Sequence, residues 1–291
     1  LIEKANEDGR FFGDFYFRPP GAERGWVFDH NFDPPYQLLS HHAEQRDITI
    51  VGGFGCGKTE QIIVSAATWA ATTPYFKFLN VAPVAWQSKV AYDKLIAIME
   101  DTPFRERFVF KVVEKPYPKI TLKHSGIGTS TLEFMSASDN AQKLKTWEGD
   151  WINLDQAEQV EDLDETVIAL GTRVRGVIRG RERLGRLSLT ANSEDNPQLW
   201  YRFDLAKELP DDFLSIEVST YANKNLTPKQ IRAFELKIPE HQQAQHLGGK
   251  RPEGGGEEFP ISLLELCVDR GLTAIMASLL KQQGIPMEAF A

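Results

Sequence analysis

The run VGGFGCGKT over residues 51–59 contains Gly52-x-x-x-x-Gly57-Lys58-Thr59, the spacing in this chain most explicit about chemistry. Glycines at these intervals let the backbone curl so that successive N–H groups converge, and a helix starting at the end of the curl adds its positive terminus. Such a curl suits phosphate. In this pattern the lysine reaches the β- and γ-phosphates and the hydroxyl ligates Mg²⁺. Lys58 and Thr59 are therefore expected in those roles, with Gly52, Gly53, Gly55, Cys56, Gly57 and Glu60 as the surrounding nucleotide contacts. A carboxylate is needed to help hold the metal. Asp155 ends the strand-like DWINLD at 150–155, and ligands bind at the C-terminal edge of parallel strands.

These groups need strands that end together and a helix that starts beside them. DITIVGG, FKFLNVAP, KITL, STLEFMS, DWINLD and RLSLT have the apolar, β-branched character of short strands. QIIVSAATWAATT, WQSKVAYDKLIAIMEDT and EQVEDLDETVIALGTRV have the spacing of helices. Their alternation predicts an α/β fold with a mostly parallel central sheet and helices on both faces. KITL and STLEFMS, joined by KHSGIGT, are expected to form a hairpin. KVVEKPYPK reads as a loop, GGKRPEGGGEEFP as a linker, and ISLLELCVDRGLTAIMASLLKQQG as an amphipathic helical tail. The resulting division is 1–246 for the main domain, 247–258 for the linker and 259–291 for the appendage.

Composition narrows the class. The 291 residues are 42% hydrophobic and 25% charged, ordinary for a globular protein. No apolar run approaches the ~18 residues of a membrane span, and Cys56 and Cys267 are too few for a metal framework or a disulfide scaffold. A reducing cytoplasm is expected. With a net charge of −8, contact with nucleic acid requires a local basic patch or several subunits together. The run TRVRGVIRGRERLGRLSLT is such a patch, with Arg173, Arg175, Arg179, Arg181, Arg183 and Arg186. A trans-acting finger, DNA contact, subunit contact and a solvated face are its four readings. His41-His42 reads as structural, on a helix.

Five segments in order resemble the ATPase domain of the large terminase subunit, the motor that packages DNA into tailed-phage capsids. PPYQLLSHHAEQRDITIVGG is similar to the family's adenine motif, GGFGCGKT to its phosphate loop, and LNVAPVAWQSKV to a strand–Ala-Pro–Gln segment shared with helicase-like motors. NLDQAEQV resembles the second nucleotide motif, and LSLTANSEDNPQLWYRF the coupling motif. The resemblance implies a P-loop NTPase fold with a small lid subdomain, built from the N-terminal segment and about 200–246 around a core of about 30–200. It implies ATP and Mg²⁺ as ligands, with Gln37 and Tyr36 at the adenine and Thr190 and Asn192 as coupling residues. It further implies double-stranded DNA, the portal protein, the small terminase subunit and a homo-oligomeric ring as partners. The place of action would be the cytoplasm of the infected host, at the procapsid portal. No segment reads as the nuclease domain most large terminases carry.

The chain departs from the family at three positions. Asp-Glu is usual where this chain has Asp155-Gln156. A glutamine orients water through hydrogen bonds, but it does not take a proton as a carboxylate does. A naturally slow enzyme, a substitute role for Glu158, and an engineered Glu-to-Gln exchange are all open at this level. Glu158 also reads as a first-turn helix acid favoured by the helix dipole. Phe54 stands where many members have arginine in the loop, and Lys145 stands at the position of a trans-acting arginine finger. Two further functions compete: a helicase- or translocase-like DNA-dependent ATPase, and an ATP-binding regulatory module with little turnover.

Overall fold

Six strands run parallel at the centre of the computed structural model, and two more extend the sheet antiparallel at one edge. The structure describes residues 9–26, 28, 32, 35–138, 144–175, 177–178, 181–182 and 185–252. In chain order these form α1 (Gly9–Tyr16), α2 (Tyr36–His42), β1 (Asp47–Gly52), α3 (Lys58–Thr72), β2 (Lys77–Ala82), α4 (Ala85–Met99) and α5 (Pro103–Phe108). There follow β3 (Val109–Val113), β4 (Lys119–His124), β5 (Gly128–Ser136), β6 (Trp151–Asp155), α6 (Leu163–Gly171), β7 (Val177–Ile178) and β8 (Arg181–Glu182). The last are β9 (Arg186–Asn192), α7 (Pro197–Glu208), β10 (Phe213–Val218), α8 (Pro228–Glu235) and α9 (Glu240–His246). The large sheet has the order β10-β1-β9-β6-β2-β5-β4-β3, and β7 and β8 form a separate small hairpin.

Side-chain alternation splits the core into two layers. Ile48, Ile50, Phe78, Phe134 and Trp151 pack with α1, α3, α4 and α5 on one face. Val51, Leu79, Val81, Ile152, Leu154, Leu187 and Leu189 pack with α6 and α7 on the other. All five residues of β6 are buried, the signature of a parallel strand covered on both sides. Three strands are tied together inside this core by polar groups. Asn153 donates to Asn80 Oδ1 at 2.8 Å, Ser188 donates to Asn153 Oδ1 at 2.8 Å, and Trp151 Nε1 donates to Ser188 Oγ at 2.8 Å.

The six expected strands and the hairpin are present, and two strands join them that the sequence did not announce. The segment expected as a loop around KVVEKPYPK begins with β3, an edge strand whose central residues are exposed, so no buried alternation marks it. β10 pairs in parallel with β1 and flanks the site, although its residues fall within the span expected as a lid. The helix expected from residue 158 starts only at Leu163, where the Asp162 side chain accepts from Glu165 N at 3.1 Å. Glu158 instead lies in a separate 3₁₀ turn, Ala157–Gln159, so the first-turn reading is corrected. The start of the stretch expected as a linker is packed into the described fold. Leu247 is fully buried, and a Cβ on Gly249 would stand 2.4 Å from Val218 O. The appendage at 259–291 lies outside the described residues.

Candidate functional site

The C-terminal ends of β1, β6 and β9 meet at one edge of the sheet, because Gly52 pairs with Asn192 and Asp155 with Thr190. The glycine-rich loop turns there from β1 into α3, through Gly57 at φ 73°, ψ 18°. That left-handed conformation favours glycine, and a Cβ at Gly57 would also press on Phe32 at 3.1 Å.

Groups from across the chain hold the loop's carbonyls. Lys58 Nζ donates to Gly52 O at 2.9 Å and to Gly53 O at 3.3 Å. Thr220 Oγ1 donates to Phe54 O at 2.7 Å, and Asn223 Nδ2 to Gly55 O at 2.7 Å. Tyr36 Oη donates to Cys56 O at 2.6 Å, and Gln37 Nε2 to Gly57 O at 3.4 Å. The amides of Gly53 and Phe54 are taken by Val218 O and His246 O. The N–H groups of Gly55, Gly57, Lys58 and Thr59 have no acceptor among the described residues. Side chains from outside the curl thus hold the carbonyls of residues 54–57, and unengaged N–H groups are the donors an anion would take.

The cleft is ≈ 250 Å³, lined by residues 54–59, Lys94, Asp155, Gln156, Thr190, Ala191 and Asn192. Thr59 Oγ1 donates to Asp155 Oδ2 at 3.1 Å, and Thr190 Oγ1 to Asp155 Oδ1 at 2.7 Å. Asp155 is buried, and that burial raises its pKa against the lowering effect of both hydroxyls and Lys58. A hydroxyl and a desolvated carboxylate in contact are hard oxygen donors of the type Mg²⁺ takes alongside phosphate oxygens. No group of three or more His, Cys, Asp or Glu side chains placed to hold a metal ion occurs among the described residues. Lys58 Nζ also donates to Asn192 Oδ1 at 3.2 Å, and Asn192 Nδ2 to Glu158 Oε1 at 2.8 Å. Burial raises the pKa of Glu158. Gln156 adopts φ 54°, ψ 47°, and its side-chain carbonyl accepts from Gln87 Nε2.

The structure therefore brings Lys58, Thr59, Asp155, Gln156, Thr190 and Asn192 together in one cleft. Tyr36 and Gln37 lie on α2, hydrogen-bonded to the loop carbonyls of Cys56 and Gly57. Both are buried behind the loop, Gln37 completely, and they brace its carbonyls. Glu60 sits on α3 with its carboxylate 3.7 Å from Lys94. Phe54 is partly exposed and stacks on His246 with ring centroids 5.5 Å apart. Lys145 is exposed and borders a second hollow with Glu165 and Leu170, away from this cleft. Arg175 pairs with Glu148 at 2.6 Å, and Arg173 is partly buried beside it. Arg179, Arg183 and the side chain of Arg181 lie outside the described residues. Arg186 is corrected outright. It is fully buried, its guanidinium is 5.1 Å from the Trp151 ring centroid, and burial lowers its pKa to about 10. His41 is structural as expected, 3.0 Å from Ser65 Oγ and stacked on Phe28.

Lys94, Thr220 and Asn223 were missed. Lys94 lies on a helix face with no motif spacing, and Thr220 and Asn223 are ordinary polar residues far along the chain.

No protein-family model matches the chain, and no curated protein matches it. Solved structures do. The large terminase ATPase domain of Thermus phage P74-26 is similar at TM-score 0.52 and 15% identity, over 74% of this chain and 92% of that one. The HK97 bacteriophage large terminase is similar at TM-score 0.61 and 14% identity, over 84% of this chain and 55% of that one. The large terminase of a thermophilic bacteriophage, in complex with ATP-gamma-S, is similar at TM-score 0.54 and 15% identity, over 71% and 48%. The chain spans about half the length of the last two proteins. The fold is that of large terminase ATPase domains, a P-loop NTPase fold. Among the described residues no helix is long and apolar enough to cross a membrane.

Proposed function

We propose that this chain is the ATP-hydrolysing motor of a viral large terminase, which drives double-stranded DNA into a procapsid. One observation carries the reading: a curl of unengaged N–H donors, Lys58, Thr59 and Asp155 share a single cleft at the sheet edge. The donors and Lys58 would bind the β- and γ-phosphates, and Thr59 and Asp155 would hold Mg²⁺. Bound there, the metal would neutralise charge on the phosphate oxygens. Binding would draw Lys58 from Asn192 Oδ1 toward phosphate, so that Asn192, with Thr190 on Asp155, registers loss of the γ-phosphate. Lys145, remote from its own cleft, would act as a finger on a neighbouring subunit of a ring. Arg173, Arg175, Arg179, Arg181 and Arg183 would meet DNA or that neighbour. The portal protein and small terminase subunit are the further partners, at the portal in the host cytoplasm.

Phosphate release from Mg–ATP, measured with and without double-stranded DNA, tests the reading. DNA-stimulated turnover is the expected result. Nucleotide binding with no turnover under either condition would leave only an ATP-binding module, the alternative that Gln156 favours.

The carbonyl clamp has its own expected effect. Thr220→Val removes the donor to Phe54 O while keeping nearly the same shape. Leaving that carbonyl unpaired costs about 1–3 kcal/mol, and ATP affinity should fall about tenfold, the equivalent of about 1.4 kcal/mol. Titration with a fluorescent ATP analogue measures it, and Thr220→Ser should restore binding. Unchanged affinity in Thr220→Val would show that the loop keeps its shape without this bond.

A further inference from the structure

We propose that Glu158 is the general base of this site and that Gln156 works beside it as a fixed N–H donor, an assignment that rests on the ATPase reading. Gln156 comes first because its orientation is set. Gln87, from α4, donates through Nε2 to Gln156 Oε1 and, at 2.7 Å, to Gln159 Oε1. Gln87 is itself held, since its Oε1 accepts from Val84 N at 3.3 Å. With the Gln156 carbonyl engaged on the Gln87 side, its amide nitrogen is the end left for the cleft it lines. An amide NH₂ donates to a water or phosphoryl oxygen and takes no proton.

Asp155 is committed elsewhere. Its carboxylate receives the hydroxyls of Thr59 and Thr190 and the backbone N–H of Gln156. Glu158 is the next carboxylate. Its Oε1 accepts from Asn192 Nδ2 at 2.8 Å, and Asn192 Oδ1 accepts from Lys58 Nζ at 3.2 Å, so one side chain separates Glu158 from the phosphate-binding lysine. Its Oε2 is buried and has no partner among the described residues. An acceptor kept buried and unpaired is costly, and here it lies one hydrogen bond behind Asn192, which lines the cleft.

In the reaction, Glu158 Oε2 accepts a proton from water as the water oxygen bonds to the γ-phosphorus. The bond from the γ-phosphorus to the β,γ-bridging oxygen breaks, its electron pair leaves with ADP, and the proton passes to the released phosphate. Gln156 donates to the water or to a γ-phosphate oxygen and holds the line of attack.

The competing role for Glu158 is to anchor Asn192, and one substitution separates the two. Glu158→Gln keeps a carbonyl to accept from Asn192 but cannot take the proton. Turnover of Mg–ATP by Glu158→Gln should fall by about 10²-fold or more in kcat, with binding of a fluorescent ATP analogue unchanged. Adding Gln156→Glu should restore turnover, because Gln87 Nε2 can donate to one oxygen of the new carboxylate and leave the other for water. Wild-type turnover in Glu158→Gln makes Glu158 an anchor and overturns the assignment. So does a loss confined to nucleotide binding, or a double variant no faster than Glu158→Gln. Failure of the unsubstituted chain to hydrolyse ATP overturns the ATPase reading and the base together; hydrolysis that survives Glu158→Gln overturns the base alone.

Discussion

Lys58→Ala is expected to lower kcat/KM for ATP by about 10²–10³-fold, the cost of removing one preorganised donor from a transferring group. The structure gives a second reason for a large effect. The ammonium of Lys58 donates to Gly52 O, Gly53 O and Asn192 Oδ1, and it lies 3.4 Å from Cys56 Sγ. Truncation removes the proposed phosphate partner and also leaves the carbonyls of Gly52 and Gly53 without this donor. Asn192 would lose the contact linking it to the loop. A steady-state assay with a parallel binding measurement reads both consequences: turnover should drop to that extent, and nucleotide affinity should fall with it. Turnover retained at near the original rate would remove this loop from the chemistry.

Trp151→Ala is expected to destabilise the fold by about 3–5 kcal/mol. Trp151 is fully buried at the start of β6, edge-on to Phe78 with centroids 5.4 Å apart, and its Nε1 donates to Ser188. It also carries the guanidinium of Arg186 on its ring face. Arg186 is desolvated, so a charge that has given up water keeps, among the described residues, the carbonyls of Ser40 and Ala43 as partners once the ring is gone. Buried charges that lose a partner are strongly destabilising. The shift of the urea midpoint, read by circular dichroism, measures the effect. A change below about 1 kcal/mol, the scale of an ordinary substitution, would mean that this layer repacks freely.

The loop end of the candidate site was legible because its signals are local. Lys58 and Thr59 belong to one short run, and Asp155 closes a short, mostly apolar strand. The central strands were legible for the same reason, since each is buried on both faces. What stayed hidden depends on neighbours distant in sequence. Thr220 and Asn223 reach loop carbonyls 166 and 168 residues away, and a threonine and an asparagine in a polar segment carry no mark of that task. β3 shows no buried alternation because it is an exposed edge. Arg186 belongs to a basic run that suggests surface, and only the sheet, with Trp151 paired directly to it, places it inside. Tyr36 and Gln37 were found by resemblance, yet their burial beneath the curl follows from the packing of α2 on α3.

The glycine curl has one more property. Its outward oxygens are gripped by side chains from positions 36–37 and 220–223, and its first amides by the backbone at 218 and 246. It is therefore no transplantable cassette: cut from the polypeptide ahead of β10, the same nine residues would lose half their scaffolding. The traffic also runs in reverse, since linkage is symmetrical. Whatever stiffens the curl must stiffen the stretch that grips it, to the same degree in free energy.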